Sequence, residues 1–297
     1  MKIAILPLIF LVACSTTKES SKKESKPSIT NESFKKEKAL TRAQLPDYYP
    51  GSMAGLNPAL QDETLDRFSV EELKSVNTSG DPLIEIAIRC ARRDFDGAFA
   101  VANNNFDKYQ KIPTYWNQLA NCHLNNASPR KALLFYNKAL EVQKNYVPAL
   151  NNIGVLYARE GQDQKAQVAF ERANKQNKFA KTPRYNLGKL YLKYGLVDLA
   201  LPIFQSLLKE TPGDVDLLNS VATAHFLQSD YRQAWNYYQN IPQNQWRAAE
   251  IGLNLTLTLK KLNNEDSAQK VFKDIAKPGT RELQEYYAVV RTQLGAK

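Results

Sequence analysis

The sequence predicts an all-α fold, an α-solenoid of stacked helix pairs. From Pro113 onward the same residue classes return every 34 residues, without insertion or deletion. Within each period apolar residues fall at helical spacing in two stripes. Leu150, Ile153, Gly154 and Tyr157 form one stripe, and Ala166, Phe170 and Ala173 the next. With only 12 Gly and 14 Pro in 297 residues, a loop-rich β architecture is disfavoured. A period of this length marks an array in which each unit buries its apolar face only against its neighbours.

The chain opens with MKIAILPLIFLVAC: one Lys, an apolar run and then Cys14. The run is too short to span a bilayer, which takes roughly 20 residues, and has the layout of a secretory signal. Leu11-Val12-Ala13-Cys14 resembles the bacterial lipobox. That resemblance implies a lipoprotein signal peptide over 1–13, with a diacylglycerol on the Cys14 sulfur and an acyl chain on its new amine. Three acyl chains anchor a protein without a transmembrane helix. Ser15, in place of Asp, fits the outer-membrane sorting of enteric lipoproteins, which implies a lipid anchor in the outer membrane facing the periplasm.

The lipidated Cys and a tether occupy 14–45. Between Ser15 and Leu45 there are eight Lys/Arg, four Glu and few apolar residues, so the stretch buries too little to offset its ordering entropy. Much of the formal charge of +10 therefore sits in a leash, where it speaks to solubility and not to nucleic acid. Residues 46–81 are more apolar, with Tyr48, Tyr49, Met53, Leu56, Leu60, Leu65, Phe68 and Leu73. Ser69-Val70-Glu71-Glu72 has the capping-box order, and short helices packing on the first repeat are expected here.

A degenerate repeat is predicted over 82–112. Leu83, Ile86, Ala87 and Cys90 make its first stripe and Phe95, Ala98, Phe99, Ala102 and Phe106 its second, with the spacing slipped by one. Five regular units follow, over 113–146, 147–180, 181–214, 215–248 and 249–282. Unit position 8 holds Ala120, Gly154, Gly188, Ala222 and Thr256, and position 20 is Ala132, Ala166, Ala200, Ala234 and Ala268. Aromatic residues fill position 24: Tyr136, Phe170, Phe204, Tyr238 and Phe272. Small residues let two helices approach, and large ones fill the space between units. On these positions the array resembles the tetratricopeptide repeat (TPR) family, which implies a right-handed superhelix. Arg184 and Gly252 depart from it, replacing the large apolar residue of position 4. Tyr286, Val289 and Val290 in 283–297 predict a C-terminal capping helix.

No Gly-rich phosphate loop, nucleophile elbow or zinc spacing occurs. His123 and His225 both stand at position 11, where other units carry Tyr or Leu, so packing is expected of them. No catalytic residue, metal, cofactor or small-molecule substrate is assigned. Trp116 stands at core position 4, while Trp235 and Trp246 fall outside the pattern and fit either inter-unit packing or an exposed contact. Cys90 and Cys122 lie on first helices of neighbouring units. Helix axes pack about 8–10 Å apart and disulfide Cα atoms lie within about 7 Å, which favours two free buried thiols.

In the TPR superhelix the first helix of each unit lines the concave face, through positions 2, 5, 9, 12 and 13. By resemblance the partner-binding groove comprises Asn117, Asn121, Asn151, Val155, Arg159, Tyr185, Lys189, Lys193, Asn219, Leu253 and Leu257, flanked by Asn125, Thr223, Lys260 and Lys261. Side-chain amides along a groove suit an extended peptide, since each donates and accepts at once. The basic residues of a carboxylate clamp are missing, with Asn117, Asn121, Asn152, Thr182 and Asn186 at its positions. Lipobox, repeat array and a PGTRELQEYYAVV ending together resemble the pilotin lipoproteins of type IV pili. That resemblance implies a non-catalytic, membrane-anchored assembly factor for envelope proteins, with a secretin subunit as partner. A gliding-motility or cell-division scaffold and an adaptor for peptidoglycan hydrolases are the alternative readings.

Overall fold

A computed structural model describes residues 80–295. The expected signal peptide, Cys14, the expected tether and, apart from Gly80 and Asp81, the helices expected over 46–81 lie outside those residues. Fourteen α-helices and no strand occur among them. They are α1 (Pro82–Ala91), α2 (Phe95–Asn104), α3 (Phe106–Tyr109), α4 (Pro113–Asn125), α5 (Pro129–Val142), α6 (Val147–Arg159) and α7 (Asp163–Gln176). Then follow α8 (Lys181–Lys193), α9 (Val197–Glu210), α10 (Val215–Leu227), α11 (Tyr231–Gln239), α12 (Ala249–Lys261), α13 (Glu265–Asp274) and α14 (Arg281–Gln293). Each unit's first helix packs on its second and on the second helix of the preceding unit, as in α6 against α7 and α5, and α6 also meets α4.

The five alanines of position 20 are fully buried, and the position-24 rings pack beside them. Gly154 and Gly188 face Phe170 and Phe204 so closely that no side chain fits between. The turn inside each unit is equally regular. Arg93, Ala127, Gly161, Gly195, Ser229 and Asn263 all have positive φ, between 51° and 71°, and stand 34 residues apart. Arg93 and the buried Ala98 carry the register one unit further back than the slipped stripes indicate. Phe106 departs from its expected stripe: α2 ends at Asn104, and the ring, at the start of α3, is 40% exposed.

Both departures at position 4 have a physical reason. A Cβ on Gly252 would collide with the backbone carbonyl of Trp246, which approaches because the short helix α11 is followed by a 3-10 turn, Gln243–Arg247. Arg184 spans α8 and α9 instead, donating to Glu210 at 2.7 Å and to Ser206 at 2.9 Å. At the C-terminal end α14 packs on α12, with Leu283, Tyr286 and Val290 buried.

The expected free thiols are corrected: Cys90 and Cys122 form a disulfide, with Cα atoms 5.2 Å apart. Cα atoms lie about 2.3 Å from the helix axis. Residues facing each other across two packed helices therefore come several ångströms closer than the axes do. The bond ties α1 to α4, the inner helices of the first two units.

Candidate functional site

The inner layer is formed by α4, α6, α8, α10 and α12. Of the residues expected to line an open groove, those at the middle of each helix are buried. Asn117, Asn121, Asn151, Val155, Tyr185, Lys189, Asn219, Thr223, Leu253 and Leu257 are each at most 6% exposed. Arg159, Asn125 and Lys261, at the helix C-termini, are exposed, and Lys193 is partly so.

An amide ladder joins these helices. Asn152 Nδ2 donates to Asn121 Oδ1 at 2.9 Å and to Asn117 Oδ1 at 3.2 Å, one unit back. Asn186 repeats the move onto Asn151 Oδ1 at 2.8 Å, and Asn254 onto Thr223 Oγ1 at 3.1 Å and Asn219 Oδ1 at 3.4 Å. Second-helix tyrosines add a rung: Tyr136 donates to Asn121 at 2.5 Å and Tyr238 to Asn219 at 3.3 Å. In the cap Tyr286 donates to Asn254 at 2.9 Å. Buried polar groups cost little only when satisfied, so these asparagines serve cohesion between units. Unit position 6, with Asn152, Asn186 and Asn254, was the signal that could have revealed the ladder.

At the first unit the ladder has no upstream rail. Gln118 stands at position 6, but the corresponding rail positions one unit earlier hold Leu83 and Ala87, and both its amide atoms lack a partner. Mid-array, Lys189 is fully buried with its ammonium 5.6 Å from the Tyr185 ring centre. Burial pushes it well below the usual lysine range, while Asp216 and Glu250 pull the other way. At the C-terminus of α8, Lys193 pairs with Asp163 at 2.6 Å, and Tyr194 donates to the same oxygen at 2.6 Å.

The histidines are packing groups. His123 stacks between Phe99 and Phe135, with centroids 4.5 and 4.9 Å away, and His225 stacks on Tyr237 at 5.4 Å. Burial lowers the pKa of both. Trp235 and Trp246 pack together at 6.1 Å between the fourth and fifth units, which decides the two readings in favour of packing. Among the described residues no cluster of His, Cys, Asp or Glu could hold a metal ion, and no helix is long and apolar enough to cross a membrane.

Helix pairs of period 34, small residues at positions 8 and 20, and a left-handed turn residue in every unit define a TPR array. The tetratricopeptide repeat family model matches residues 113–146 and 147–178, at the boundaries of the first two regular units. Such arrays are protein–protein interaction scaffolds and are generally non-catalytic. The anaphase-promoting complex subunit CDC16 of Saccharomyces cerevisiae is 21% identical over 59% of this chain and 22% of its own length. This chain spans less than half the length of the curated relatives it matches. Among solved structures, PilF of Pseudomonas aeruginosa superposes with a TM-score of 0.60 at 18% identity, over 74% of this chain and 99% of that one. PilW, described as a type IV pilus biogenesis factor, superposes with 0.57 at 19% identity, over 70% and 98%. At these identities the likeness establishes the fold alone.

Proposed function

We propose that this protein is a non-catalytic scaffold of the bacterial envelope. It is acylated at Cys14, held to the outer membrane by the leash of 14–45, and captures an envelope protein along the inner face of the array. The observation that carries the compartment is the Cys90–Cys122 disulfide. Structural disulfides persist in oxidising compartments and are rare in reducing ones, which agrees with the export implied by Leu11-Val12-Ala13-Cys14. Assembly of a type IV pilus secretin is the favoured task. The array is coextensive with PilF and PilW, and the lipobox stands ahead of it. A lipid and leash would raise the local concentration of a membrane-destined partner without any new contact.

Fractionation and capture test this. Cys14→Ala leaves a folded array that no longer sediments with membranes; membrane retention of that variant sinks the lipoprotein reading. Crosslinking and pull-down from native envelopes returns a secretin subunit, whereas recovery of peptidoglycan endopeptidases selects the adaptor alternative. Arg159→Glu with Lys261→Glu, both exposed at helix C-termini, weakens capture at least fivefold with an unchanged melting curve.

A further inference from the structure

One repeat position separates the third unit from its neighbours. In the first, second and fourth units Trp116, Leu150 and Leu218 occupy position 4 and pack into the cores between units. The third unit has Arg184 there, and a cleft of ≈590 Å³ opens between the second helices α7 and α9. That size lies within the range of about 300–1,000 Å³ in which ligand-sized groups are held. Its floor is built, since Arg184 donates to both Glu210 and Ser206. In the wall, Glu171 accepts from Gln167 Nε2 at 2.7 Å and from the Tyr191 hydroxyl at 3.4 Å. Both carboxylates of the cleft are therefore already satisfied by groups of the chain.

The mouth is different. Lys175, Lys178 and Phe179 line it, and all three are exposed. Neither lysine side chain makes a hydrogen bond or ion pair among the described residues. Phe179 is 87% exposed, more than any other large hydrophobic residue described. Asn177 Oδ1 accepts from its backbone N–H at 3.0 Å, which fixes the turn that presents the ring. We propose that this cleft is a docking site for a short acidic segment of a partner protein that carries one large apolar side chain. The carboxylates of the segment pair with Lys175 and Lys178, the two charges of the cleft that the fold leaves uncompensated, and its apolar side chain covers the Phe179 ring. Charge complementarity of this kind selects which segments are accepted and speeds their arrival. A flat anionic bilayer would touch the same three tips and leave the recess below them empty, whereas a peptide side chain fills it. The cleft lies in the outer layer, so the site does not depend on the inner face being a capture face.

A phage-displayed library of short random peptides, selected on the chain from residue 14 onward carrying Cys14→Ala, tests this, with the enriched peptides synthesised for binding measurements. The expected winners have net negative charge and a large apolar residue. Lys175→Glu with Lys178→Glu weakens their binding at least about tenfold, and Phe179→Ser about fivefold, with unchanged melting curves. All three positions are exposed, so folding is little affected. Replacing the acidic residues of a selected peptide by Lys restores its binding to the chain carrying Lys175→Glu and Lys178→Glu, which an indirect structural effect would not do. Arg159→Glu with Lys261→Glu leaves the affinities unchanged; a loss there would place the peptides on the inner face and overturn the proposal. It is overturned equally by the absence of any enriched peptide, by winners that are neutral or basic, or by binding that ignores the cleft substitutions. Phosphatidylglycerol vesicles bound through the same three side chains, in place of any peptide, would assign the surface to a membrane and also overturn it.

Discussion

A Cβ built on Gly154 would stand 2.5 Å from Cε1 of Phe170, closer than two carbons approach. The pair joins position 8 of one helix to position 24 of its partner. Gly154→Ala therefore forces the ring or the helix to move, at a cost of about 1–3 kcal/mol. Urea melts give the number, and Phe170→Leu in the same chain recovers part of it; additive losses would separate the two residues.

Four of the six left-handed turn positions are held by residues other than glycine. A side chain there costs roughly 1–2 kcal/mol, part of which glycine regains against its greater freedom when unfolded. Ala127→Gly and Ser229→Gly each raise the melting temperature by a few degrees. Asn263→Gly changes little, because asparagine tolerates this conformation.

Gln118 and Asn152 occupy the same unit position and give opposite outcomes. Gln118→Met removes a buried amide with no partner, and stabilises by about 1 kcal/mol. Asn152→Leu strips the donor from Asn117 and Asn121, and destabilises by about 1–3 kcal/mol. Chemical denaturation of both variants reads the sign directly.

Cys90 and Cys122 close a loop with a sequence separation of 32. The chain-entropy relation puts its stabilisation at about 3–4 kcal/mol. Cys90→Ser with Cys122→Ser lowers stability by that order. Thiol titration of the unfolded, unreduced Cys14→Ala chain finds no reactive thiol, and two reactive thiols would refute the bond.

His123 has its pKa lowered, chiefly by burial and secondarily by Lys131. The unfolded chain therefore takes up a proton before the folded one. Stability falls as pH drops from about 6.5, the unperturbed histidine value, towards the folded pKa. His123→Tyr, the side chain that Tyr157 and Tyr191 supply at this position, flattens the decline between pH 7 and 5; His225 accounts for what remains.

How much of this was readable beforehand depended on whether side-chain size alone decided the matter. Ala166 against Phe170 is a question of volume, and the period exposes it. The inner face is different, because asparagine suits a wetted groove and a dry ladder equally well. Only the pairing of position 6 with positions 5 and 9 of the preceding unit separates them, as Asn152 does with Asn117 and Asn121. The disulfide escaped because helix spacing was measured between axes, whereas Cys90 and Cys122 face one another across the contact.

The bond between α1 and α4 makes the two ends of the array unequal. At the far end α14 is held without a covalent tie, by packing and by hydrogen bonds such as that from Tyr286 to Asn254, whereas the first pair cannot leave without carrying the second with it. Unwinding is thus directional: units peel from the C-terminal end, and the last helices to melt are those the disulfide joins. A pull applied at the N-terminal end of the array meets the covalently bolted pair first, so load passes into the stack while the far end yields.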